Sequence, residues 1–201
     1  MSRVLNVLVT GVGGQGLLTL SSVLAEAALR RGLGVVVAET HGMSQRGGIV
    51  TVHVRLGRAE APLIPSGAVD VLLGMELIEA ARHAYTLSER SMAVVNDYVV
   101  PPPYPGVKVP SRDSLIAEIS KKAAKFRVVP ATAVAVNMGD ARVANMVLLG
   151  AAAAAGAFSG FLDVKDLEAA IARVLSRAAG RNLEAFQIGT KLQVSASAPP
   201  V

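Results

Sequence analysis

Gly11-Val12-Gly13-Gly14-Gln15-Gly16 places four glycines in six residues, between a β-branched apolar run and a helical pattern. Where a strand turns into a helix, the first-turn N–H groups lack intrahelical acceptors and the positive end of the helix dipole lies close by. A loop without Cβ atoms lets an anion reach those amides. The chemistry on offer is phosphate binding; the alternative is a tight strand-to-helix turn in which the glycines supply only conformational freedom. The spacing also matches the dinucleotide fingerprint G-x-G-x-x-G, and Glu39, 23 residues after Gly16, stands where an acid could accept a ribose hydroxyl. Against a nicotinamide or flavin dinucleotide, such a half-domain needs a second crossover helix. The ten residues from Glu39 to Gly48 cannot supply one.

Those ten residues form the second distinctive segment, ETHGMSQRGG, with three glycines, no apolar period, and Arg46 as its fixed positive charge. Conventional catalytic candidates fall away one by one. His41 and His53 lack a third ligand at helical or strand spacing, so a metal centre is not built from them. Ser44 has no G-x-S-x-G elbow, and His83 reads as an exposed helix residue. Gly139-Asp140 followed by Asn145 faintly resembles the diphosphate and magnesium site of thiamine enzymes. Ala141 stands where that motif needs glycine, and the segment is too short, so Asp140 is expected to cap a helix. The chain has no cysteine, which removes thiolate nucleophiles, disulfides, Cys-ligated zinc and Cys-ligated iron–sulfur clusters together. On this reading it carries no reaction centre of its own.

The elements that must position these segments follow from periodicity. Val4 to Thr10 reads as a strand buried on both faces. A helix then carries Leu17, Leu18, Leu24, Ala25, Ala28 and Leu29 to Arg30, before Gly32 and Gly34 stop it and Val35 to Ala38 begins a second strand. This is a Rossmann-like βαβ unit whose two strands lie parallel in one sheet. Ile49 to Leu56 alternates as a half-exposed strand, while Val69 to Leu73 and Met92 to Val95 are buried strands flanking a helix over Glu76 to Tyr85. Five prolines make 101–110 an extended connection. A helix over Asp113 to Ala124, a strand over Phe126 to Val129 and a buried helix within Val143 to Phe158 complete the middle of the chain. The last third is helical: Asp163 caps a helix that Gly180 ends, Asn182 caps a short one, and Arg173, Arg177 and Arg181 form a solvated basic stripe. Residues 1–194 are expected to form a single domain, with 195–201 a flexible tail.

Composition bounds the partners. With 201 residues one domain is the natural count, and 52% hydrophobic residues with 3% aromatic imply a core of Ala, Val and Leu. The net charge of +5 comes from basic residues scattered among acidic ones, with almost no rings to stack on bases, which argues against nucleic acid. No apolar stretch reaches the ~20 residues that cross a bilayer, and the start leaves no room for a signal peptide, so a cytoplasmic location is expected. A mean hydropathy of +0.47 points to apolar surface covered by a partner.

Taken together, VLVTGVGGQGLLTLSSVLAEAA, ETHGMSQRGGIVTVHVRLG, MELIEAARH, AVVNDYVVPPP, NMVLLGA and RNLEAFQIG resemble the gamma-type domain of 2-oxoacid:ferredoxin oxidoreductases, over nearly the whole chain. The G-M-x-Q-R-G-G segment is closest to the indolepyruvate branch, where the domain is the beta subunit. Gamma subunits for pyruvate, ketoisovalerate or 2-oxoglutarate match the first loop well and the second less well. The resemblance implies an α/β fold, a three-layer α/β/α domain with a mixed, mostly parallel sheet. It also implies a complex that converts arylpyruvates to aryl-acetyl-CoA and passes electrons to ferredoxin. Thiamine diphosphate, magnesium and 4Fe-4S clusters are expected on a larger alpha subunit, two copies of each chain assembling. Two site expectations follow. Gly11, Gly13, Gly14, Gln15 and Gly16 would line an anion site for a coenzyme A phosphate. His41, Gly42, Met43, Gln45, Arg46, Gly47 and Gly48 would dock against the alpha subunit.

Overall fold

The computed structural model describes residues 3–42, 48–102 and 106–192. Met43, Ser44, Gln45, Arg46, Gly47 and the 195–201 tail lie outside these, so the expectations placed on them stand as made. Six strands form one sheet: β1 (Leu5–Val12), β2 (Val35–His41), β3 (Ile49–Leu56), β4 (Val71–Gly74), β5 (Met92–Asn96) and β6 (Lys125–Val129). Their spatial order is β2-β3-β1-β4-β5-β6. Only β3 runs against the others, pairing antiparallel with both β1 and β2. The first βαβ unit is therefore present, and β3 is inserted between its two parallel strands. The short β2–β3 connection makes this possible, since a hairpin needs no crossover helix.

The first helix, α1 (Leu17–Arg30), buries Leu17, Leu20, Val23, Leu24, Ala27 and Ala28 on one stripe. It ends in a Schellman motif: Gly32 at φ 68° lets its own N–H reach Leu29 O and the Leu33 N–H reach Ala28 O. With α4 (Ala131–Asn137), α5 (Ala144–Ala154), α6 (Val164–Val174) and α7 (Ala179–Lys191) it covers one sheet face. The core there joins Val7, Val9, Val52 and Val54 to Leu20, Leu24, Met146 and Phe186. The other face is covered by α2 (Leu77–Arg82) and α3 (Arg112–Ser120), over Leu8, Leu72, Ala93 and Val95. The arrangement is three layers, α/β/α, around a mixed sheet.

Four helix expectations change. Asp163 caps α6 through a full capping box with Asp166, but α6 stops at Val174. A 3-10 turn over Ser176–Ala178 intervenes, and Gly180 lies inside α7 instead of ending α6. Asn182 is likewise interior, its side chain donating back to Ala178 O. The break removes the arginine stripe: Arg173 pairs with Glu26 at 2.9 Å, whereas Arg181 turns to Met138 O and Glu184. His83 is half-buried at the end of α2, with Nδ1 on Glu79 O and Nε2 on Thr51 Oγ1, because α2 lies flat on the sheet.

Beyond α2 the β2–β3 part of that face is more open, and His53 sits there accepting the Ile64 N–H at Nδ1, 3.2 Å away. Burial lowers its pKa, and the charges of His83 and Arg55 add to the effect. A depressed folded-state value means that this site's stabilisation is present above about pH 6.5 and is lost as pH falls through the folded pKa. Protonated His53 could no longer accept from Ile64. Thermal melts between pH 7 and pH 5 are expected to fall more steeply for the native chain than for His53→Gln; equal slopes would remove His53 from the acid response.

Candidate functional site

The C-terminal ends of β1, β2, β4, β5 and β6 lie along one edge of the sheet, joined there by the start of β3. From β1 the chain leaves through α1 onto one face; from β4 it leaves through α2 onto the other. The crevice between these two strand ends is a topological switch point, where open α/β sheets bind ligands. Gly11 to Gly16 forms one wall of it.

The loop has a defined shape. Gln15 folds back so that its Oε1 accepts the Val12 N–H at 2.9 Å while its Nε2 donates to Met75 O at 3.3 Å, tying the loop to the end of β4. Gly11 is fully packed: a Cβ there would come within 2.6 Å of Gln15 Oε1 and 2.9 Å of Met75 Cβ. Gly14 and Gly16 have φ of 94° and 74°, the left-handed region that disfavours side chains. Gly16 caps α1 with no side chain of its own, and the Asn145 amide at the start of α5 donates to Gly16 O at 3.0 Å. Among the described residues the N–H groups of Gly14, Gly16, Leu17, Leu18 and Thr19 find no acceptor, and no acidic residue occupies the first turn of α1. Five amides at the positive end of a 14-residue helix, beside exposed Gly13 and Gly14, suit an anion.

The two glycine-bearing segments, distinct in the sequence, meet here. Gly13 N–H donates to Gly48 O at 2.9 Å, and Gly42 N–H closes the hairpin on Ile49 O at 2.8 Å. His41 lies at the exposed end of β2, its Nε2 3.2 Å from Glu39 Oε2. Glu39 is therefore no ribose acceptor for a ligand on the glycine loop. It stands two strands from β1, about 10 Å at ~4.8 Å per strand, and is held by His41.

Sequence reasoning missed the polar residues that hold the crevice open. Asn96, fully buried at the end of β5, donates to Met75 O at 3.0 Å and to Thr132 Oγ1 at 2.7 Å, and accepts the Thr132 N–H. Arg112 clamps Asp97 through two bonds of 2.8 Å. The signal was present in Asn96-Asp97, a polar pair closing an apolar strand. Glu76 is also fully buried, capping α2 by accepting from Ile78 and Glu79 and reaching Val100 N–H. Burial raises its pKa, opposed by those three donors. Both its oxygens are committed to backbone, so it is not free to serve as a base. No group of three or more metal-ligating side chains occurs among the described residues, and none of their helices is long and apolar enough to cross a membrane.

Known proteins place this geometry. An indolepyruvate oxidoreductase subunit IorB of Archaeoglobus fulgidus is 40% identical over 195 residues, covering 95% of this chain and 96% of the relative. The pyruvate oxidoreductase subunit PORC of Thermotoga maritima superposes with a TM-score of 0.72 over 97% of this chain and 99% of that one, at 22% identity. The 2-oxoglutarate:ferredoxin oxidoreductase of Magnetococcus marinus, solved with 2-oxoglutarate, coenzyme A and succinyl-CoA bound, gives 0.70 at 22% identity. The match covers 99% of this chain and 33% of that one, so the same fold occurs there within a larger chain. The pyruvate ferredoxin/flavodoxin oxidoreductase family model matches residues 6–192, and the chain belongs to that family.

Proposed function

We propose that this chain is the beta subunit of an indolepyruvate:ferredoxin oxidoreductase and that it contributes a binding wall to chemistry performed on a larger alpha subunit. The observation that carries the reading is the switch-point crevice. It offers five amides with no acceptor among the described residues, beside a loop that Gln15 ties to the end of β4. The residues fit a phosphate of coenzyme A, held by the amides of Gly14, Gly16 and the first turn of α1, with Gln15 and Asn145 fixing the loop. Thiamine diphosphate, magnesium and 4Fe-4S clusters belong to the alpha subunit in this account. The ligand brings the thiol that accepts the acyl group, while this chain orients it.

His41, Gly42 and Gly48 lie at the same edge of the sheet, and Leu18 and Tyr98 are exposed there. An alpha subunit docked over them would cover apolar surface and close the crevice. Ferredoxin would then meet the complex through the alpha subunit.

A Gly13→Asp variant places a carboxylate beside the amides. In the assembled complex it is expected to raise the KM for coenzyme A about tenfold or more, since 1.4 kcal/mol is a factor of ten. The KM for the arylpyruvate and the gel-filtration profile should stay unchanged. An unaltered coenzyme A KM would overturn the phosphate site. Arg46→Ala is expected to loosen the complex on gel filtration; full assembly and activity would overturn the docking role of that loop.

A further inference from the structure

We propose that the interface between α2 and the sheet contains a site for a monovalent metal cation, sodium or potassium, liganded by the Glu79 carboxylate and the Thr10 hydroxyl. This goes beyond the coenzyme A reading and does not depend on it.

Two fully buried polar atoms have no partner among the described residues, Thr10 Oγ1 and Glu79 Oε2. Their places in the fold converge. Thr51, Thr10 and Gly74 stand in register on β3, β1 and β4, one row across three adjacent strands, all facing α2. The helix crosses that row. At one end Ala80 packs on Gly74, where an added Cβ would come within 2.7 Å of Ala80 Cβ. At the other end His83 Nε2 lies 3.3 Å from Thr51 Oγ1. Thr10 is the middle residue of the row, and Glu79, 4% exposed, lies on α2 one turn before His83 and next to Ala80, the two residues that seat the helix at the ends of the row.

Charge favours a cation over a water molecule. Glu76 at the N-cap and Glu79 within this short helix are both buried, and the guanidinium of Arg82 reaches only Glu79 Oε1, from a largely exposed position. His83 does not hydrogen-bond the second oxygen. Its Nδ1 is spent on Glu79 O, and no ion pair forms between the two side chains. Two buried carboxylates against one guanidinium leave this interface with excess negative charge, which is costly inside a protein unless a counter-charge reaches it. A carboxylate and hydroxyl oxygens form a hard donor set suited to an alkali cation completed by water.

The test uses the full chain in potassium, sodium or choline chloride at equal ionic strength, together with crystals soaked in rubidium. The expected result is a melting temperature higher by about 3 °C in a metal salt than in choline. Rubidium should give an anomalous peak between Glu79 Oε2 and Thr10 Oγ1. Glu79→Gln and Thr10→Val should lose the salt response. Identical melting of the native chain in all three salts with no anomalous peak, showing a water or a proton there instead, would overturn the site. So would Thr10→Val becoming equally more stable in every salt, the behaviour of a hydroxyl that is merely unsatisfied.

Discussion

A Gly189→Val chain is expected to lose about 3 kcal/mol of stability, the upper part of the range for overpacking, and to melt roughly 10 °C lower at 2–4 °C per kcal/mol. The reason is how α5 and α7 meet. A Cβ on Gly189 would collide with Val147 O and come within 3.1 Å of Ala151 N; a Cβ on Gly150 would collide with Phe186 O and come within 3.0 Å of Thr190 N. Each glycine faces the other helix's backbone, so nothing flexible can move aside. Helix propensity alone predicts the opposite sign, because leaving glycine gains up to about 1 kcal/mol in a helix interior. The smaller Gly189→Ala change separates the two effects. A fall in its melting temperature supports the backbone contact, and a rise would show that α5 and α7 can separate at little cost. The same packing sets the start of α5, and with it Asn145, against Gly16.

The second large effect is expected at Gly16 itself. Valine there meets two obstacles at once: a φ of 74°, which a β-branched residue strongly resists, and the Asn145 amide, which occupies the space of a Cβ. Relaxing either one rotates the first turn of α1 and moves the amides of Gly14, Gly16 and Leu17 away from the crevice. We expect stability to fall by about 2–3 kcal/mol, from strain plus the displaced contact. We also expect coenzyme A to require a concentration more than tenfold higher for half-maximal rate, with the arylpyruvate KM unmoved. Asn145→Ala keeps the glycine backbone and removes only its brace, so it should shift coenzyme A use in the same direction by a smaller factor. A Gly16→Val complex with native coenzyme A kinetics would mean that the loop shapes the fold alone.

Much of this arrangement was legible from residue order. The β-branched run of β1, the glycine loop and the stripe of α1 define a βαβ unit locally, and the shortness of 39–48 already excluded a second crossover. The insertion of β3 between β1 and β2 was not readable, because alternation marks a half-exposed strand without naming its neighbours. The pairing of Gly13 with Gly48 follows from that insertion, so two motifs read as separate sites proved to share one edge. The arginine spacing misled for a related reason: intervals of four imply one face only while the helix continues, and the turn over Ser176–Ala178 breaks it. Buried polar residues were the least visible. Thr10, Glu76 and Asn96 look ordinary in the sequence, and only the packing of α2 and of the segment after β6 gives them their roles.

The central claim is that this chain lends a wall to a reaction centre held by another chain. The most direct measurement is dye- or ferredoxin-linked oxidation of indolepyruvate in the presence of coenzyme A, with the purified chain alone and then with a larger, cysteine-rich partner added. The account predicts no reduction above background for the chain alone, and coenzyme A-dependent turnover once the partner is present. Steady turnover by the isolated chain would contradict it.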